Sequence, residues 1–426
     1  MAKVVRQYWA GNLDAGLSRR DRGSGSYDAY VPDQLIGRSF VLDSETAADV
    51  VDAEVAVHQL DSEASALVET EVLSRLLLRA EAIASSRIEG LEIGARRLLR
   101  ADAARQLEGN SNDVTAIEVL ANIDAMAVAA DAVEPGEPIT QGILLEVHRR
   151  LLAGTTIASH GGRLREVQNW IGGSSFNPCS AVFVPPPPEY VPGLVEDLID
   201  FCNTDDLPAV AQAAVAHAQF ETIHPFIDGN GRTGRALIHL ILRRRGVAER
   251  VVAPVSLVLA TWSDNYIDGL TQFRYVGDPD SVQAVSGLNV WIARFAAACS
   301  RAAADAMLFE SAAADLQNSW RARVAPVRGN SALDLLLNRL IGMPILTAGA
   351  AASLIGRSFP ATNTAIERLV EAGILRQVTV GRRNRAFESP EAITAFTALE
   401  RRLASPQGDT RISDLARPVP RRAQTR

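Results

Sequence analysis

The sequence predicts a mainly α-helical protein organised around one polar turn. Stretches with apolar side chains at helical spacing recur along the chain, and Ala and Leu dominate while β-branched runs are few. Hydrophobic residues make up 47% and charged residues 22% of the chain, the balance of a globular protein with a sizeable core. A chain of this length is expected to hold about two or three domains.

Composition also limits the function classes. The formal net charge of −7 argues against a surface that binds nucleic acid as a whole, although a local basic patch is compatible with it. Cys179, Cys202 and Cys299 form no CxxC pair, so a reducing cytoplasm is the expected compartment. The N-terminus lacks the apolar segment of a signal peptide, and no long apolar stretch is free of charges, so we expect no membrane span.

Periodicity predicts a series of helices after residue 44. The first 44 residues lack a clear period, and residues 23–26 (GSGS) are linker-like, so irregular structure is expected there. Thr140 is a candidate helix N-cap and Gly90 a candidate C-cap. Helices are predicted at 45–60, 66–83, 95–106, 114–130, 140–152, 191–202, 208–220, 236–242, 264–273 and 288–306.

The period changes from helical to alternating between residues 161 and 188. Residues 167–171 and 181–184 alternate as strands do, and turn-forming residues separate them. This pattern predicts a β-hairpin, which the four prolines at 185–188 end as a rigid bridge to the next helix.

The C-terminal part has its own pattern. Helices at 333–341, 347–354 and 360–371 precede a strand at 374–380, a basic turn at 381–385 and a second strand at 386–388. Three helices followed by a strand pair predict a winged helix-turn-helix domain. The arginines of the turn could contact DNA phosphates, but the domain is nearly neutral, so DNA binding and protein or dimer contacts are both retained.

The polar turn lies at residues 223–235 (IHPFIDGNGRTGR), between two apolar helical segments. Gly229, Asn230 and Gly231 can present successive backbone N–H groups to one anion, because glycine tolerates the dihedral angles that this requires. The helix that follows adds its N-terminal N–H groups and its dipole. The pattern predicts a phosphate site.

Charged residues around the turn extend this prediction. Arg232 and Arg235 are three residues apart and can face the same anion, and two guanidinium groups suit a polyphosphate. Asp228 is placed to bind the Mg²⁺ that accompanies ATP, and His224 can accept a proton from an attacking hydroxyl. The alternative is a helix–loop–helix whose polar turn faces water. It requires base, carboxylate, N–H groups and paired arginines to coincide by chance.

Residues 224–235 (HPFIDGNGRTGR) resemble the signature of the Fic family, HPFx(D/E)GNGRxxR, at every defined position. The resemblance implies an all-α core with a β-hairpin flap and a protein adenylyltransferase activity. In that family the motif histidine, here His224, deprotonates a Ser, Thr or Tyr hydroxyl of a target protein. The hydroxyl then attacks the α-phosphate of ATP, and pyrophosphate leaves.

The resemblance also implies a division of labour within the motif. Asp228 would hold Mg²⁺, the residues after it would hold the phosphates, and Arg235 would reach the γ-phosphate. The predicted nucleotide-binding residues in the motif are Asp228, Gly229, Asn230, Gly231, Arg232, Thr233, Gly234 and Arg235.

Two further parts of the predicted site lie outside the motif. The hairpin at 167–184 resembles the family's flap, which docks an extended target segment by strand addition. The resemblance places the backbone of Asn169, Trp170, Ile171 and Gly172 over the nucleotide. Tyr266, on a helix after the motif, is either a wall of the adenine pocket or a core residue.

A regulatory motif is predicted near residue 89. Ser85-x-x-x-Glu89-Gly90 matches the family's inhibitory motif, (S/T)xxxE(G/N). On the residues alone, a carboxylate at a helix C-terminus opposes the helix dipole, so either a cationic group compensates it or it is simply solvated. The resemblance implies instead that Glu89 pairs with Arg235 and blocks productive binding of the γ-phosphate.

We therefore predict an N-terminal region with the inhibitory helix at 1–110, a Fic core at 111–320, a winged helix domain at 331–400 and a disordered tail at 401–426. The predicted function is that of an autoinhibited protein adenylyltransferase that uses ATP and Mg²⁺. The alternatives are a DNA-binding regulator with a nucleotide-sensing core, a transferase that uses UTP, GTP or CDP-choline, and removal of AMP from a target. A homodimer is compatible with all of them.

Overall fold

A computed structural model describes residues 1–11, 17–18, 21–66, 70–108, 113–380 and 384–403. The fold is mainly α-helical, as predicted. The strands are β1 (Lys3–Trp9), β2 (Gly25–Val31), β3 (Ile345–Leu346), β4 (Arg376–Val380) and β5 (Asn384–Glu388). The helices are α1 (Ser44–Ala66), α2 (Thr70–Ile88), α3 (Ala95–Glu108), α4 (Val114–Asp131), α5 (Gln141–Leu151), α6 (Val191–Cys202), α7 (Ala209–Ile223), α8 (Asn230–Arg244), α9 (Val255–Thr261), α10 (Ser263–Phe273), α11 (Val282–Val324), α12 (Ala332–Arg339), α13 (Ala348–Ile355), α14 (Phe359–Glu371) and α15 (Pro390–Leu403).

The predicted helices form, with some changes of length. Thr140 caps α5 as predicted, because its side chain accepts a hydrogen bond from the N–H of Ile143. The short helix α9 was not predicted. The helix expected at 288–306 is part of α11, which runs for 43 residues because no proline interrupts it before Pro326.

By length and composition alone, α11 is the one helix among the described residues that could cross a membrane. In its most apolar 18-residue window, 56% of the residues are buried within the protein, as is common for a core helix. The expectation that the chain has no membrane span stays a prediction.

The prediction of irregular structure before residue 44 was wrong. β1 and β2 form an antiparallel hairpin in which Lys3 lies opposite Val31 and Trp9 opposite Gly25. The N–H of Tyr30 in β2 also donates a hydrogen bond to the carbonyl of Val184, at 2.9 Å. This contact comes from a distant part of the chain, so a local pattern could not reveal it.

The predicted hairpin at 167–184 is much shorter than expected. Its two segments pair at one isolated antiparallel bridge between Ile171 and Phe183. The N–H of Ile171 donates to the carbonyl of Phe183 at 2.8 Å, and the reverse hydrogen bond is 3.2 Å. A 3₁₀ turn at Pro178–Ser180 precedes the second segment and takes up the N–H of Ala181, which donates to the carbonyl of Pro178 at 3.0 Å. Pro185 follows the segment and has no N–H to donate, so the ladder extends in neither direction. We call residues 167–184 the flap.

The first of two compact units consists of Met1–His58, Ala121–Glu249 and Asp264–Ser300. Its core contains α7, which is buried along its whole length, and most of α8. The indole N–H of Trp291 donates to the carbonyl of Ala214 in α7 at 2.8 Å, which joins α11 to this core. The two helices that flank the polar turn are therefore also the centre of the unit.

The second unit consists of Gln59–Leu120, Arg250–Ser263 and the chain from Arg301 onward. Its C-terminal part has the three predicted helices, α12 to α14, and a sheet with the antiparallel strand order β3–β5–β4. Leu99 and Ala103 of α3 pack against Ile345, Ala386 and Ile393. The N-terminal part of this unit thus shares a core with the sheet.

The winged helix assignment, the domain boundaries and the tail remain predictions. Residues 381–383 of the basic turn lie outside the described residues. α15 continues to Leu403, three residues into the predicted tail, and residues 404–426 also lie outside the described residues.

Candidate functional site

His224 ends α7 in an unusual backbone conformation. Its φ of 50° and ψ of 60° lie in the left-handed region, and its N–H donates to the carbonyl of Phe220 at 2.9 Å. Residues other than glycine adopt this region at a cost, so the surrounding structure must hold it. The left-handed turn directs the chain out of the helix at the residue predicted to act as the base.

Arg165 holds this turn in place through hydrogen bonds to backbone carbonyls. Its side chain is buried, and it donates from Nε to the carbonyl of His224 at 2.8 Å. Its other guanidinium nitrogens donate to the carbonyls of Val167, Pro186 and Ile223, at 3.1, 2.6 and 3.3 Å. Burial lowers the pKa of Arg165 to about 10. Four carbonyls thus satisfy a buried cation that ties the flap to the end of α7.

Asn169 makes a second hydrogen-bonded connection between the flap and the polar turn. Its side-chain N–H₂ donates to the carbonyl of His224 at 3.2 Å and to that of Phe226 at 3.0 Å. The structure therefore places the Asn169 side chain against the backbone of the turn. The predicted position of its own backbone over a nucleotide stays a prediction.

The other predicted flap residues surround the bridge. The indole N–H of Trp170 donates to the carbonyl of Ser174 at 2.6 Å, and its ring meets Trp9 edge-on with centroids 5.4 Å apart. Ile171 makes the bridge, and Gly172 follows it in the turn. The β1–β2 hairpin therefore supports the flap through Trp9, a contact that the sequence did not predict.

Gly229 and Asn230 form the start of α8. Gly229 has φ of 77°, which favours glycine, and its carbonyl accepts the first helical hydrogen bond from Thr233 at 3.0 Å. The N–H groups in the first turn of a helix have no partner within that helix, so they suit an anion. The Asn230 side chain closes the turn through two 2.8 Å hydrogen bonds, one from the N–H of Phe226 and one to its carbonyl.

Arg232 is buried with some of its donors unsatisfied. Its side chain is only 6% exposed, and Nη2 lies 3.7 Å from a carboxylate oxygen of Asp228. No described residue accepts a hydrogen bond from its Nε or Nη1, both of which are shielded from solvent. A buried cation with unpaired donors is costly, and an anionic ligand would supply the acceptors.

Asp228 fits a Mg²⁺ site in which phosphate oxygens supply the remaining ligands. Its side chain is 55% exposed at the edge of the turn. Among the described residues, no group of three or more His, Cys, Asp or Glu could hold a metal ion. Mg²⁺ commonly takes one or two carboxylates together with the phosphate oxygens of its substrate, so Asp228 fits the ion only in that arrangement.

Thr233, Gly234 and Arg235 lie on the inner side of α8. Thr233 and Arg235 are buried. A Cβ on Gly234 would come within 2.8 Å of the Phe220 ring and 2.9 Å of the Glu221 carboxylate, so α7 and α8 approach too closely for a larger residue. Packing accounts for Gly234, and the nucleotide contacts of these three residues stay predictions.

Glu221 is a site residue that sequence reasoning missed. One of its carboxylate oxygens lies 4.0 Å from Nδ1 of His224, one helical turn later. This distance is too long for a hydrogen bond, but a carboxylate this close would stabilise an imidazolium if His224 took up a proton. The spacing of three residues was visible in the sequence, although an acidic residue in a helix is too common to single out.

Tyr266 lies in a buried aromatic cluster of the first unit. Its hydroxyl is 2.9 Å from Nε2 of His217, and both rings pack near Trp291. Burial, followed by the charge of Arg235, lowers the pKa of His217 to about 3, so this histidine is neutral. The surroundings of Tyr266 favour the core interpretation, and its role as an adenine wall stays a prediction.

Ser85 and Glu89 belong to the second unit, at the end of α2. Ser85 is buried, whereas Glu89 is exposed and follows the last helical residue, Ile88. Gly90 caps the helix as predicted, and its N–H donates to the carbonyl of Arg87 at 2.9 Å. The pairing of Glu89 with Arg235 stays a prediction.

Comparisons with known proteins bear on two adjacent segments. The Fic/DOC family model matches residues 138–242, and the model of the Fic/DOC family N-terminal region matches residues 47–131. The protein adenylyltransferase fic-1 of Caenorhabditis elegans is 34% identical over 134 residues, which are 31% of this chain and 24% of that protein. A probable protein adenylyltransferase of Aquifex aeolicus is 30% identical over 174 residues, which are 40% of this chain and 49% of that protein.

The chain thus spans about a quarter to a half of the length of these two relatives.

Among solved structures, a Fic family protein of Desulfovibrio desulfuricans is 21% identical with a TM-score of 0.49, covering 82% of this chain and 97% of that one. Fic-1 of Caenorhabditis elegans gives 21% identity and a TM-score of 0.44, covering 62% and 74%. Two models of one family match consecutive segments, and the second segment contains the complete motif at 224–235, so residues 47–131 and 138–242 are similar to the Fic/DOC family.

Proposed function

We propose that this protein is an adenylyltransferase that transfers AMP from ATP to a hydroxyl group of a target protein. One observation carries the proposal: the buried guanidinium of Arg232 has donors that no described residue accepts, beside the first turn of α8. A triphosphate supplies acceptors for both the guanidinium and the helix N–H groups. The adenylyltransferase names of the relatives support AMP as the transferred group.

The residues of the turn divide the chemistry between them. The target's hydroxyl oxygen would attack the α-phosphorus of ATP, and the bond from that phosphorus to the leaving pyrophosphate would break. The hydroxyl proton would pass to His224, whose imidazolium the nearby Glu221 carboxylate stabilises. Mg²⁺ bound by Asp228 would neutralise charge on the phosphates. The N–H groups of the helix start and Arg232 would hold the phosphates in place.

The target is proposed to dock as an extended segment along the flap. The bridge between Ile171 and Phe183 gives the flap an extended backbone, and Val182 is 86% exposed beside it. An added strand would bury such apolar side chains while its backbone pairs with the flap. Docking there would bring the target hydroxyl toward His224, because Arg165 and Asn169 tie the flap to that residue.

Autoinhibition by Glu89 is proposed from the motif at 85–90. Glu89 is exposed at the end of α2, where a carboxylate is disfavoured by the helix dipole and gains from a cationic partner. Arg235 is the proposed partner, and the pair would compete with the γ-phosphate.

Incorporation of label from α-labelled ATP tests both the transfer of AMP and the inhibition by Glu89. We expect low incorporation by the wild type, at least tenfold more by Glu89→Gly, and none by the double variant Glu89→Gly/His224→Ala. Glu92→Gly, at an exposed position three residues after Glu89, is the matched control and should behave as the wild type. Label in the double variant equal to that in Glu89→Gly would exclude His224 as the base. Equal incorporation by Glu89→Gly and Glu92→Gly would exclude the inhibitory role.

The alternative functions have separate outcomes. Intact-mass analysis of Glu89→Gly after incubation with mixed nucleotides distinguishes AMP from another transferred group. Loss of AMP from a modified target would identify the reverse reaction. A DNA-binding function predicts a salt-dependent, sequence-selective shift by the full chain, carried by the C-terminal helices and strands. A homodimer and a cytoplasmic location remain proposals beside these.

A further inference from the structure

His148, on α5, lies directly behind the polar turn. Its ring is fully buried and stacks on Phe226, with centroids 3.7 Å apart and planes at 13°. Nε2 of His148 is 3.0 Å from the backbone carbonyl oxygen of Asp228. The predicted motif contains Phe226 and Asp228, although His148 itself lies 80 residues before Asp228.

The hydrogen bonds fix which nitrogen of His148 carries the proton. The N–H of Gly162 donates to Nδ1 at 3.0 Å, so Nδ1 is the acceptor. In the neutral ring Nε2 then carries the proton and donates it to the carbonyl of Asp228. Nδ1 carries no proton when it accepts from the N–H of Gly162, so the ring is neutral in this arrangement.

This donation sets the direction of the next peptide group. The peptide bond between Asp228 and Gly229 is planar and trans, so its N–H points opposite to its carbonyl. Because His148 holds the carbonyl, the N–H of Gly229 points away from α5. It is the N–H that directly precedes the first turn of α8.

The same helix limits the space behind the turn. A Cβ on Gly229 would come within 2.8 Å of Leu151 and 3.6 Å of the His148 ring. A side chain at position 229 would therefore meet α5. The hydrogen bond fixes the direction of the peptide, and the packing against α5 favours glycine at this position.

We propose that His148 is a positioning residue that orients the 228–229 peptide so that its N–H faces a bound phosphate. The proposal rests on the proposed nucleotide function of the turn, and it adds a residue from outside the motif. His148 does not touch the reacting atoms; it acts through the backbone of Asp228 and Gly229. The ligand chemistry that it serves is a phosphate anion at the start of α8.

Two substitutions separate hydrogen bonding from packing. His148→Phe keeps an aromatic ring against Phe226 and removes both hydrogen bonds, whereas His148→Gln keeps a donor that can reach the carbonyl of Asp228. In the Glu89→Gly background, we expect His148→Phe to weaken ATP–Mg²⁺ binding about tenfold in calorimetry. The Gln variant should stay within about threefold of the parent.

Backbone amide NMR shifts of residues 229–231 report the geometry of the turn without ATP. We expect them to change in His148→Phe and to return toward the wild type in His148→Gln, while ring nitrogen shifts of the wild type show an unprotonated Nδ1. Unchanged amide shifts in the Phe variant, or a protonated Nδ1 at neutral pH, would overturn the proposal. If the parent neither binds ATP nor incorporates AMP, the proposed function fails, and the amide shifts still decide the role of His148.

Discussion

Glu388 on β5 and Arg232 on α8 are both charged side chains withdrawn from water, but their partners differ. One oxygen of Glu388 accepts from Nε of Arg376 at 2.7 Å, and the other accepts from Arg100 at 3.1 Å. Arg96 lies 3.9 Å from the same carboxylate. Arg232 instead has Asp228 at 3.7 Å and two nitrogens that no described residue accepts from.

We infer from this difference that Glu388 is a structural charge and that Arg232 is placed to take a ligand. A carboxylate with both oxygens paired needs nothing further, and it joins β4 and β5 to α3 within the second unit. A guanidinium with unpaired buried donors carries a desolvation cost that the folded chain does not offset. We therefore expect substitution of Glu388 to reduce stability, and substitution of Arg232 to reduce ligand binding.

The largest expected effect is on nucleotide affinity in Arg232→Met. Methionine fills a similar volume without a charge, so the variant loses charge-assisted hydrogen bonds to phosphate, each of which contributes about 1.5–3 kcal/mol. Calorimetry should show ATP–Mg²⁺ binding about a hundredfold weaker than in the wild type, equivalent to about 2.7 kcal/mol. Glu388→Gln is the control and should bind as the wild type; a hundredfold loss there would remove the distinction.

The next effect is on the stability of Glu388→Gln. The amide keeps the shape but loses the charge that its arginine partners pair with, so the free energy of unfolding should fall by about 2 kcal/mol. Arg100 and Arg376 are half-exposed and can return to water, which limits the loss. Chemical denaturation measures it. A variant as stable as the wild type would show that the Glu388 cluster contributes nothing.

The smallest effect is a difference in pH dependence. Burial alone would raise the pKa of Glu388, but hydrogen bonds from Arg376 and Arg100 hold it below its usual 4.5. A carboxyl with a depressed pKa in the folded state stabilises the protein above about pH 4.5, and this stabilisation is lost as the pH falls below that value. The wild type should therefore lose more stability than Glu388→Gln between pH 5 and the folded-state pKa. If the stability of the two proteins fell in parallel as the pH was lowered, the ion pairing of Glu388 with Arg376 and Arg100 would be contradicted.

The polar turn between two helices could be predicted because its residues are local in the sequence. His224, Asp228 and Arg232 lie at four-residue spacing around glycines, and the apolar flanks indicate that two helices hold them. Periodicity placed the end of α7 within three residues of its boundary at the turn, whereas α8 begins six residues before its apolar pattern. Gly229 was correctly expected to supply an unusual dihedral angle.

The residues that hold the site in place could not be predicted, because they come from distant parts of the chain. Arg165 contacts His224 across 59 residues, and nothing in the sequence distinguishes it from Arg163. His148 precedes two arginines on a helix and resembles a solvated residue until the fold brings it to Asp228. The β1–β2 hairpin was missed for the same reason, since its pairing and its contact with the flap are tertiary.

Thermal unfolding of the wild type and Arg232→Met tests most directly whether the unpaired donors of Arg232 bind a nucleotide. With ATP–Mg²⁺ at about a hundred times the wild-type Kd, the wild type should gain about 2.7 kcal/mol and Arg232→Met about 0.4 kcal/mol. Without nucleotide, Arg232→Met should be at least as stable as the wild type, because it buries no unpaired charge. Equal stabilisation of both proteins by ATP, or a variant that unfolds well below the wild type without it, would contradict the account.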